Sequence, residues 1–430
     1  MEENKLTEAF KRVREASFAL SSSSSDERRN ALLSIKKSLI ENKEYIFREN
    51  DKDIEAARGT ISDSTLHRLS FKEEKLESVI KGIDELITLK DPIGKVLEKR
   101  ELDEGLILEK RTFPIGVIGM VFEARPDALV QIASLALKSG NGLVLKGGKE
   151  ANYTNIALSE VIKNATEKFS FSRDWMLLLK SHSDVEEMLK AEGYIDLLIP
   201  RGSNAFVRYV MDNTRIPVMG HADGICSVYV DESADLDVAL AVAVDSKVQY
   251  PAACNAAETF LINEKIAPLF LPLFEKALKA KGVVIHADKS ISDYLSDFIP
   301  ATEEDFHKEY LALECAIKSV KNVDEAIEHI NSHGSHHTDA IVAENQEAKD
   351  KFFRLVDSAD VFANASTRFA DGFRFGLGAE VGISTSKLHA RGPVGLDGLM
   401  TTKWLLSGHG ECVATYSGKN AKSFTHKDLI

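Results

Sequence analysis

The sequence predicts an α/β protein whose parallel sheets are covered by helices. From about Gly116 onward, short apolar runs alternate with segments of helical periodicity, and the same alternation starts again near Asp235. Strands and helices in alternation are typical of parallel sheets with a helix layer on each face. The chain has 430 residues, which exceeds the size of one compact core, so we expect two or three domains.

The first alternating series supplies the elements of one sheet. Buried strands are predicted at residues 115–121, 142–145, 176–179 and 195–199. Helices are predicted at residues 127–138, 154–169, 184–192 and 204–212. Ligands of such sheets bind beyond the carboxyl ends of the strands, so a site is expected in the turns that follow these strands.

The second series and the two ends of the chain complete the prediction. Helices are predicted at 236–246 and 267–280, and strands at 259–262, 283–286, 314–320, 340–342 and, near the end, 412–416. A helical stripe from Leu6 to Leu20 is followed by a serine run at 21–25, which we interpret as a loop. Ser24 and Glu27 have the spacing of a capping box, which predicts the start of the next helix.

Composition and charge exclude several classes of protein. The net charge of -13 and the pI of about 5.5 argue against a nucleic-acid partner, because phosphate binding needs a basic face. No apolar stretch is long enough to cross a bilayer, and the N-terminus lacks a signal-peptide core. The four cysteines form no C-x-x-C pair, which fits neither a zinc site nor a disulfide framework. We therefore expect a cytoplasmic protein with no membrane partner.

Cys254 is the candidate nucleophile. Alanines flank it on both sides, so a substrate can approach closely, and Pro251 predicts a turn just ahead of it. A thiol at a turn reacts as a thiolate when its pKa is lowered. A buried structural cysteine is the alternative that the local pattern leaves open. Cys226, Cys315 and Cys412 fit that alternative, because each lies in an apolar strand-like run.

Two strand-to-helix turns are candidate anion sites. Residues 145–149 end a predicted strand with two glycines between Lys146 and Lys149, and lysines neutralise phosphate. Residues 201–204 also follow a strand and open a helix, where unpaired backbone N–H groups bind anions. Taken singly, each turn is better explained as an ordinary connection, and no G-x-G-x-x-G follows a strand.

Histidines concentrated between His329 and His337 raise the question of a metal site. Their spacing matches no common zinc pattern. A polar loop with capping side chains is the preferred interpretation, so we predict no metal.

Several long segments carry, in order, a resemblance to one family. They start at residue 113 with Phe-Pro-Ile-Gly-Val-Ile-Gly, at 122 with Phe-Glu-Ala-Arg-Pro-Asp, at 145 with Leu-Lys-Gly-Gly-Lys-Glu-Ala, at 199 with Ile-Pro-Arg-Gly-Ser-Asn, at 250 with Tyr-Pro-Ala-Ala-Cys-Asn-Ala-Ala-Glu-Thr, at 331 with Asn-Ser-His-Gly-Ser-His-His-Thr-Asp-Ala-Ile, and at 378 with Gly-Ala-Glu-Val-Gly-Ile-Ser-Thr-Ser-Lys-Leu-His-Ala-Arg-Gly-Pro. With these segments the chain resembles, over nearly its whole length, the γ-glutamyl phosphate reductases, also called glutamate-5-semialdehyde dehydrogenases, of the aldehyde dehydrogenase superfamily.

The resemblance implies a fold and a domain plan. The fold is aldehyde dehydrogenase-like, with a doubly wound parallel-sheet cofactor domain, an α/β catalytic domain and a small β oligomerisation segment. Residues 1–100, 114–231 and 366–400 are assigned to the cofactor domain, and residues 232–365 to the catalytic domain. Residues 101–113 and 401–430 are assigned to the oligomerisation segment, which implies a homo-oligomer.

The resemblance also implies a reaction. The expected activity is the reduction of L-glutamyl 5-phosphate to L-glutamate 5-semialdehyde with release of phosphate, a step of proline biosynthesis that uses NADP(H). Cys254 falls at the family's nucleophile position and is expected to form a thioester with the glutamyl carbon. No amino-acid kinase domain is evident, so glutamate 5-kinase is expected as a separate partner.

Further site residues follow from the same resemblance. Arg125 aligns where oxidising aldehyde dehydrogenases place an asparagine donor, so it either stabilises the oxyanion or binds the phosphate. The other substrate candidates are Glu123, Asn255, Ser384, Thr385 and Arg391. The cofactor candidates are Lys146, Lys149, Arg201, Gly202, Ser203, Asn204 and Glu309, of which Glu309 aligns with the glutamate that holds the nicotinamide ribose.

Two departures from the oxidising members of the superfamily affect the expected chemistry. Where those enzymes hold the adenosine ribose with a glutamate, this chain has Lys149, whose cation suits the 2′-phosphate of NADP. Where they activate water with a glutamate, this chain has His221, so phosphate can take the acyl group instead. A simple turn histidine is the alternative for His221.

Two other functions are weighed against this prediction. A hydrolytic aldehyde dehydrogenase of another specificity is disfavoured by His221 and Lys149. A non-catalytic paralogue is disfavoured by the presence of Cys254 with its small neighbours.

Overall fold

The chain folds into two compact units. The structure, a computed structural model, describes residues 2–123, 125–181, 183–220, 223–377 and 380–430. The first unit comprises Met1–Gly202, Tyr209–Met219 and Gly395–Ile430, and the second comprises Ser203–Arg208 and Gly220–Val394. Within the described residues, no helix combines the length and apolarity that a membrane span requires.

Five helices open the first unit: α1 Glu2–Ser22, α2 Ser25–Glu41, α3 Lys43–Ala57, α4 Asp63–Leu69 and α5 Glu73–Thr88. The predicted cap of α2 is confirmed, because the Ser24 side chain accepts a hydrogen bond from the backbone N–H of Glu27 at 3.1 Å. The predicted serine loop is too long. Ser21 and Ser22 remain helical, and their hydroxyls donate to the carbonyl of Phe18.

A parallel sheet forms the centre of the first unit. After an antiparallel pair, β1 Val96–Asp103 and β2 Leu106–Pro114, come β3 Val117–Phe122, β4 Gly142–Gly147, β5 Met176–Leu179 and β6 Leu197–Arg201. The helices that alternate with them are α6 Pro126–Ser139, α7 Asn152–Thr166, α8 Ser183–Leu189 and α9 Asn204–Asp212. The strand order is β5-β4-β3-β6, and every pairing is parallel, as predicted.

The helix α6 shows how the sequence delimits these elements. Its residues are buried along nearly the whole length, and it ends at Gly140, whose φ of +74° is the left-handed conformation that suits glycine. A Cβ on Gly140 would lie 2.7 Å from the side chain of Ile93, so space as well as backbone conformation requires glycine here.

A larger parallel sheet forms the centre of the second unit. Its strands are β7 Cys226–Val230, β8 Ala257–Asn263, β9 Val284–Ala287, β10 Ile299–Pro300, β11 Glu314–Val320, β12 Thr338–Val342 and β13 Asp360–Ala363, in the order β10-β9-β11-β8-β7-β12-β13. The helices are α10 Leu236–Val248, α11 Ala267–Lys279, α12 Val323–His333 and α13 Gln346–Leu355. A short antiparallel pair follows, β14 Gly382–Ser384 and β15 Gly392–Val394.

Helices cover both faces of this sheet. On one face, Phe260 of β8 packs with Phe270 and Phe274 of α11 in a core that α10 also joins. On the other face, Tyr229 of β7 and Phe352 of α13 belong to a second core that includes α12. Because successive residues of a strand point to opposite faces, each strand contributes to both cores.

The end of the chain returns to the first unit. Strands β16 Met400–Ser407 and β17 Lys427–Asp428 extend the β1–β2 pair to a sheet of order β16-β2-β1-β17. The strand predicted at 412–416 is wrong, since Val413–Tyr416 is a 3₁₀ turn. The interpretation of Cys412 as a buried structural residue is also wrong, because this turn lies on the surface and Cys412 is exposed.

The limits of the compact units differ from the predicted domain limits. Strand β7 belongs to the larger sheet because it pairs with β8 and β12, and the second unit continues to Val394. The roles assigned to the domains, including oligomerisation, stay predictions.

A buried ion pair ties the two sides of the connection between α10 and β8. The ammonium of Lys247, in the last turn of α10, lies 2.5 Å from the carboxylate of Glu258 in β8, and both side chains are fully buried. Burial raises the pKa of Glu258 from 4.5 to about 7, while the Lys247 ammonium opposes that rise. The pair therefore joins the two elements that flank Cys254.

We predict that Lys247→Met destabilises the protein, because it leaves the Glu258 carboxylate buried without a cation. The expected loss is about 3 to 5 kcal/mol. The folded-state pKa of Glu258 lies above its ordinary value and rises further without Lys247, so stability falls as pH rises through this range. Thermal melting should therefore show a larger loss at about pH 8 than at about pH 5.

The matched control is Lys247→Met combined with Glu258→Leu, which removes both charges and should recover most of the stability. Equal melting temperatures of the single variant and the unsubstituted protein at both pH values would contradict the prediction.

Candidate active site

Cys254 lies in the connection between α10 and β8, residues 249–256, which we call the Cys254 loop. Two successive turns shape it: the N–H of Ala253 donates to the carbonyl of Tyr250 at 3.2 Å, and the N–H of Ala256 donates to that of Ala253 at 2.8 Å. The predicted turn is confirmed, and the half-buried Cys254 stands where β8 begins. Cys254 is therefore only partly shielded from solvent.

The backbone of Cys254 is in close contact with Gly224 and Cys226. A Cβ built on Gly224 would lie 2.2 Å from the carbonyl oxygen of Cys254, so only glycine fits there. The thiol of Cys226 donates to the same carbonyl at 3.3 Å. Burial raises the pKa of the Cys226 thiol well above its ordinary value, so Cys226 acts as a neutral donor that holds the loop.

Cys315 is the other buried thiol. It lies in β11, and burial raises its pKa to about 12. Its position agrees with the structural role predicted for it.

Asn255 is held by a neighbouring segment. Its side-chain amide donates to the carbonyl of Ala370 at 2.7 Å, and the side chain is buried. This hydrogen bond joins the Cys254 loop to residues 366–374, which we call the Arg368 segment. The predicted contact of Asn255 with substrate stays a prediction.

Arg368 is a residue that the sequence analysis did not single out. It is 8% exposed, its Nε donates to the side-chain carbonyl of Gln249 at 2.9 Å, and its guanidinium lies 5.9 Å from the ring centre of Tyr250. Gln249 and Tyr250 belong to the Cys254 loop. The local pattern around Arg368 resembles an ordinary polar turn, so only the fold reveals this contact.

Glu309 is linked to the backbone beside Cys254. Its carboxylate accepts the backbone N–H of Gly224, the glycine that packs under Cys254, and the side-chain amide of Asn204 at 2.5 Å. The Asn204 amide also donates to Asp223 at 3.0 Å. Burial raises the pKa of Glu309. Two predicted cofactor residues, Asn204 and Glu309, are thus in direct contact.

Three further substrate candidates, Arg391, Ser384 and Thr385, lie in the C-terminal part of the chain. Arg391 donates to the carboxylate of Asp357 at 3.0 Å and to its carbonyl at 3.1 Å. Ser384 is buried in β14, and its hydroxyl accepts the N–H of Ser386. Thr385 follows it, half-buried. The proposed contacts of these three residues with substrate stay predictions.

The remaining cofactor and substrate candidates lie in the first unit at the carboxyl edge of its parallel sheet. Strands β4, β3 and β6 are neighbours, and Phe122 of β3 pairs with both Gly147 and Arg201. The residues at and just after these strand ends are therefore brought to one edge. They are Glu123, Arg125, Lys146, Lys149, Arg201 and Gly202.

The charges at this edge differ in their surroundings. Lys146 is buried, which lowers its pKa, and its ammonium donates to the carbonyl of Gly147. Lys149 is exposed. Arg125 is about half exposed and lies 3.6 Å from Asp127. Partial burial and then Glu150 raise the pKa of Glu123.

Ser203 begins the approach to α9. Its hydroxyl accepts the N–H of Phe206 at 3.4 Å, which is the geometry of a weak helix cap. His221 lies outside the described residues.

One cluster of potential metal ligands occurs among the described residues. The side chains of Glu303, His307 and His333 bring ligand atoms within 4.8 Å of one another. The Nε2 of His333 lies 2.7 Å from the Glu303 carboxylate, which is mostly exposed. A surface ion pair explains this arrangement, so we assign no ion to it.

Comparison with known proteins agrees with this geometry. The sequence profile of the aldehyde dehydrogenase family matches residues 1–291. The γ-glutamyl phosphate reductase of Pelotomaculum thermopropionicum is 52% identical over 425 residues, which cover 99% of this chain and 98% of that protein. The γ-glutamyl phosphate reductase of Acetivibrio thermocellus has the same identity and coverage.

Solved structures lead to the same family. The crystal structure of the γ-glutamyl phosphate reductase of Thermotoga maritima superposes with a TM-score of 0.93, at 40% identity, and covers 95% of this chain and 99% of that one. A glyceraldehyde-3-phosphate dehydrogenase of Methanocaldococcus jannaschii, complexed with NADP, shares the fold at 16% identity, with a TM-score of 0.65 and coverage of 95% of each chain. This chain therefore belongs to the γ-glutamyl phosphate reductases of the aldehyde dehydrogenase family.

Proposed function

We propose that the protein reduces L-glutamyl 5-phosphate to L-glutamate 5-semialdehyde, releases phosphate, and does so through a thioester on Cys254. The observation that carries the proposal is the Cys254 loop. It presents one reachable thiol on a backbone packed by Gly224 and Cys226 and joined through Gly224 to Glu309. A nucleophile must be held in this way for attack at a defined angle.

The chemistry follows from the position of the thiol. The Cys254 sulfur bonds to the glutamyl acyl carbon, and the bond from that carbon to the phosphate oxygen breaks, so phosphate leaves with the electron pair. Bound NADPH would supply a hydride to the same carbon. Cleavage of the carbon–sulfur bond then releases the aldehyde and returns the thiolate. Splitting the reduction in this way replaces one difficult step with easier ones.

The oxyanion that forms at the acyl carbon needs a donor. The backbone N–H of Cys254 is the proposed donor, because attack by the sulfur brings the oxygen close to it. Arg125 is retained as a second candidate, which either supports the oxyanion or contacts the phosphate.

Several residues fit a nicotinamide cofactor, and the aldehyde dehydrogenase family uses NAD or NADP. Lys146, Lys149, Arg201 and Gly202 lie at or just after the ends of neighbouring strands. Ser203 and Asn204 open α9, where unpaired N–H groups attract phosphate. Glu309 is proposed to hold the nicotinamide ribose. The exposed cation of Lys149 supports a preference for NADP, because it suits the additional 2′-phosphate.

The cellular setting belongs to the same proposal. A reducing cytoplasm keeps the thiol of Cys254 free. Exposed Trp404 and Leu406 on β16 support self-association into a homo-oligomer, since exposed apolar strands favour pairing. Glutamate 5-kinase is the proposed supplier of the acyl phosphate.

The first prediction concerns phosphate. Mixed with glutamate 5-semialdehyde and NADP, the protein should form NADPH over many turnovers only when inorganic phosphate is present, because without phosphate the thioester is not displaced and the reaction stops after a single turnover. Cys254→Ala should abolish the signal, which is measured as NADPH absorbance. Continued NADPH formation without phosphate, beyond the first turnover, would instead identify a hydrolytic aldehyde dehydrogenase.

The second prediction concerns the packing under Cys254. Gly224→Ala places a methyl group against the Cys254 carbonyl, displaces the loop and should lower kcat/KM by about a hundredfold. Gly82→Ala in α5 is the matched control, because a Cβ there meets nothing within 4 Å. Kinetics of both folded variants test this, and equal activity of the two would show that Gly224 has no positioning role.

The third prediction concerns cofactor choice. Lys149→Glu should raise the KM for NADP by at least about tenfold, since loss of a charged hydrogen bond has a cost of this size. The KM for NAD should not rise in parallel. Lys168→Glu, past the other end of α7, is the control. Parallel changes for both cofactors would remove Lys149 from the 2′-phosphate site.

A further inference from the structure

Arg368 is a buried cation. It is 8% exposed, and among the described residues its guanidinium forms no ion pair. Asp371 and Asp245 act on it only from a distance. Buried charges are normally paired, because an unpaired charge is costly to remove from water. A buried arginine of this kind is typical of a residue that binds an anionic ligand.

The two terminal amino groups of the Arg368 guanidinium are available as hydrogen-bond donors. Only its Nε is engaged, by the side-chain carbonyl of Gln249. In the part of the chain that the structure describes, its two terminal amino groups have no protein acceptor, and neither is among the buried unpartnered atoms. Solvent, and hence a small anion, can reach them. A planar fork of this kind binds two oxygens of a phosphate or carboxylate at once.

The position of Arg368 is fixed relative to Cys254. Arg368 contacts Gln249 and Tyr250 before the cysteine, and the same segment receives the amide of Asn255 after it. The segment is also anchored to α10, because the N–H of Thr367 donates to the hydroxyl of Ser246. An ionised Cys254 thiol would attract the guanidinium of Arg368. Arg368 and the thiol thus belong to one packed arrangement.

A neighbouring arginine supports this geometry. The guanidinium of Arg374 donates to the backbone carbonyl of Arg368 at 2.6 Å and lies 3.7 Å from the Asp371 carboxylate. Arg374 is thereby a positioning residue for the Arg368 backbone, and its own charge is partly balanced.

We propose that Arg368 binds the phosphoryl group of the acyl phosphate, an inference that rests on the proposed role of Cys254. The phosphoryl group is attached through one oxygen to the carbon that the sulfur attacks, so its binding site must adjoin the thiol. The α-carboxylate, the other anionic group of the substrate, lies at the far end of the carbon chain. When the carbon–oxygen bond breaks, the electron pair goes to the phosphate oxygen, and the guanidinium stabilises the added charge.

The kinetic test uses the reverse reaction, with phosphate and aldehyde varied separately. Arg368→Gln should raise the KM for inorganic phosphate by about ten- to hundredfold, the size expected for lost hydrogen bonds to a charged group. The KM for glutamate 5-semialdehyde should remain unchanged. Arg354→Gln, an exposed arginine of α13 in the same unit, is the matched control. A rise only in the KM for the aldehyde would assign Arg368 to the α-carboxylate and overturn the proposal, as would no change in either constant.

A binding test does not depend on turnover. Inorganic phosphate should slow the alkylation of Cys254 by iodoacetamide in the unsubstituted protein and in Arg354→Gln, but not in Arg368→Gln. Arg368→Lys keeps the positive charge but not the two parallel donors of the guanidinium, so it should retain part of the protection. This variant provides the test if Arg368→Gln fails to fold. Undiminished protection in both Arg368 variants would overturn the inference.

The two proposals can fail separately. If the unsubstituted protein continues to form NADPH without phosphate beyond the first turnover, the proposed function fails whatever the Arg368 variants do. If it requires phosphate and the Arg368 variants bind phosphate normally, only the assignment of Arg368 fails.

Discussion

The active-site geometry depends on how the Cys254 loop is held. The carbonyl of Cys254 packs against Gly224 and accepts a hydrogen bond from the thiol of Cys226. The side-chain amide of Asn255 donates to the Arg368 segment. The Lys247–Glu258 ion pair joins α10 and β8 on either side of the loop. These contacts come from outside the loop and add to the hydrogen bonds of its own turns. Cys254 stays partly exposed while buried neighbours hold its backbone. This is the combination that a covalent catalyst needs.

The same loop organises the residues around it. Gly224 contacts Cys254 on one side and donates its N–H to Glu309 on the other, so a shift of the loop would also move the proposed ribose contact. Gln249 and Tyr250 place Arg368 beside the thiol. Cys254, the proposed ribose contact Glu309 and the proposed phosphate contact Arg368 are therefore linked through a few residues of the second unit.

Much of the fold could be predicted because apolar periodicity reports burial. The strand Met176–Leu179 was predicted to the residue, since its continuous apolar character is typical of a strand covered on both faces. The strand Glu314–Val320 was also predicted to the residue, although Glu314, Lys318 and Ser319 interrupt its apolar run. The pair β1 and β2 was missed, because these strands are half-exposed and rich in charged residues. The strand predicted at 412–416 was wrong because apolar residues there suggested burial, whereas in the structure they lie on the surface.

The site was predictable only in part. Cys254 was marked by its small neighbours and by the family resemblance, and the turns after β4 and β6 were marked by their glycines and cations. No local pattern distinguished Arg368, because its significance comes from the lack of a carboxylate partner among the residues that the structure describes. Pairing between residues well separated in sequence, such as Arg391 with Asp357, likewise follows from the fold alone.

The central claim is a covalent bond between the Cys254 sulfur and the glutamyl carbon. Mass spectrometry of protein incubated with glutamate 5-semialdehyde and NADP in the absence of phosphate tests it most directly, because the acyl group then has no acceptor. The account predicts a glutamyl adduct on the peptide that contains Cys254, which disappears when phosphate is added. An unmodified peptide in a preparation that turns over normally with phosphate would contradict it.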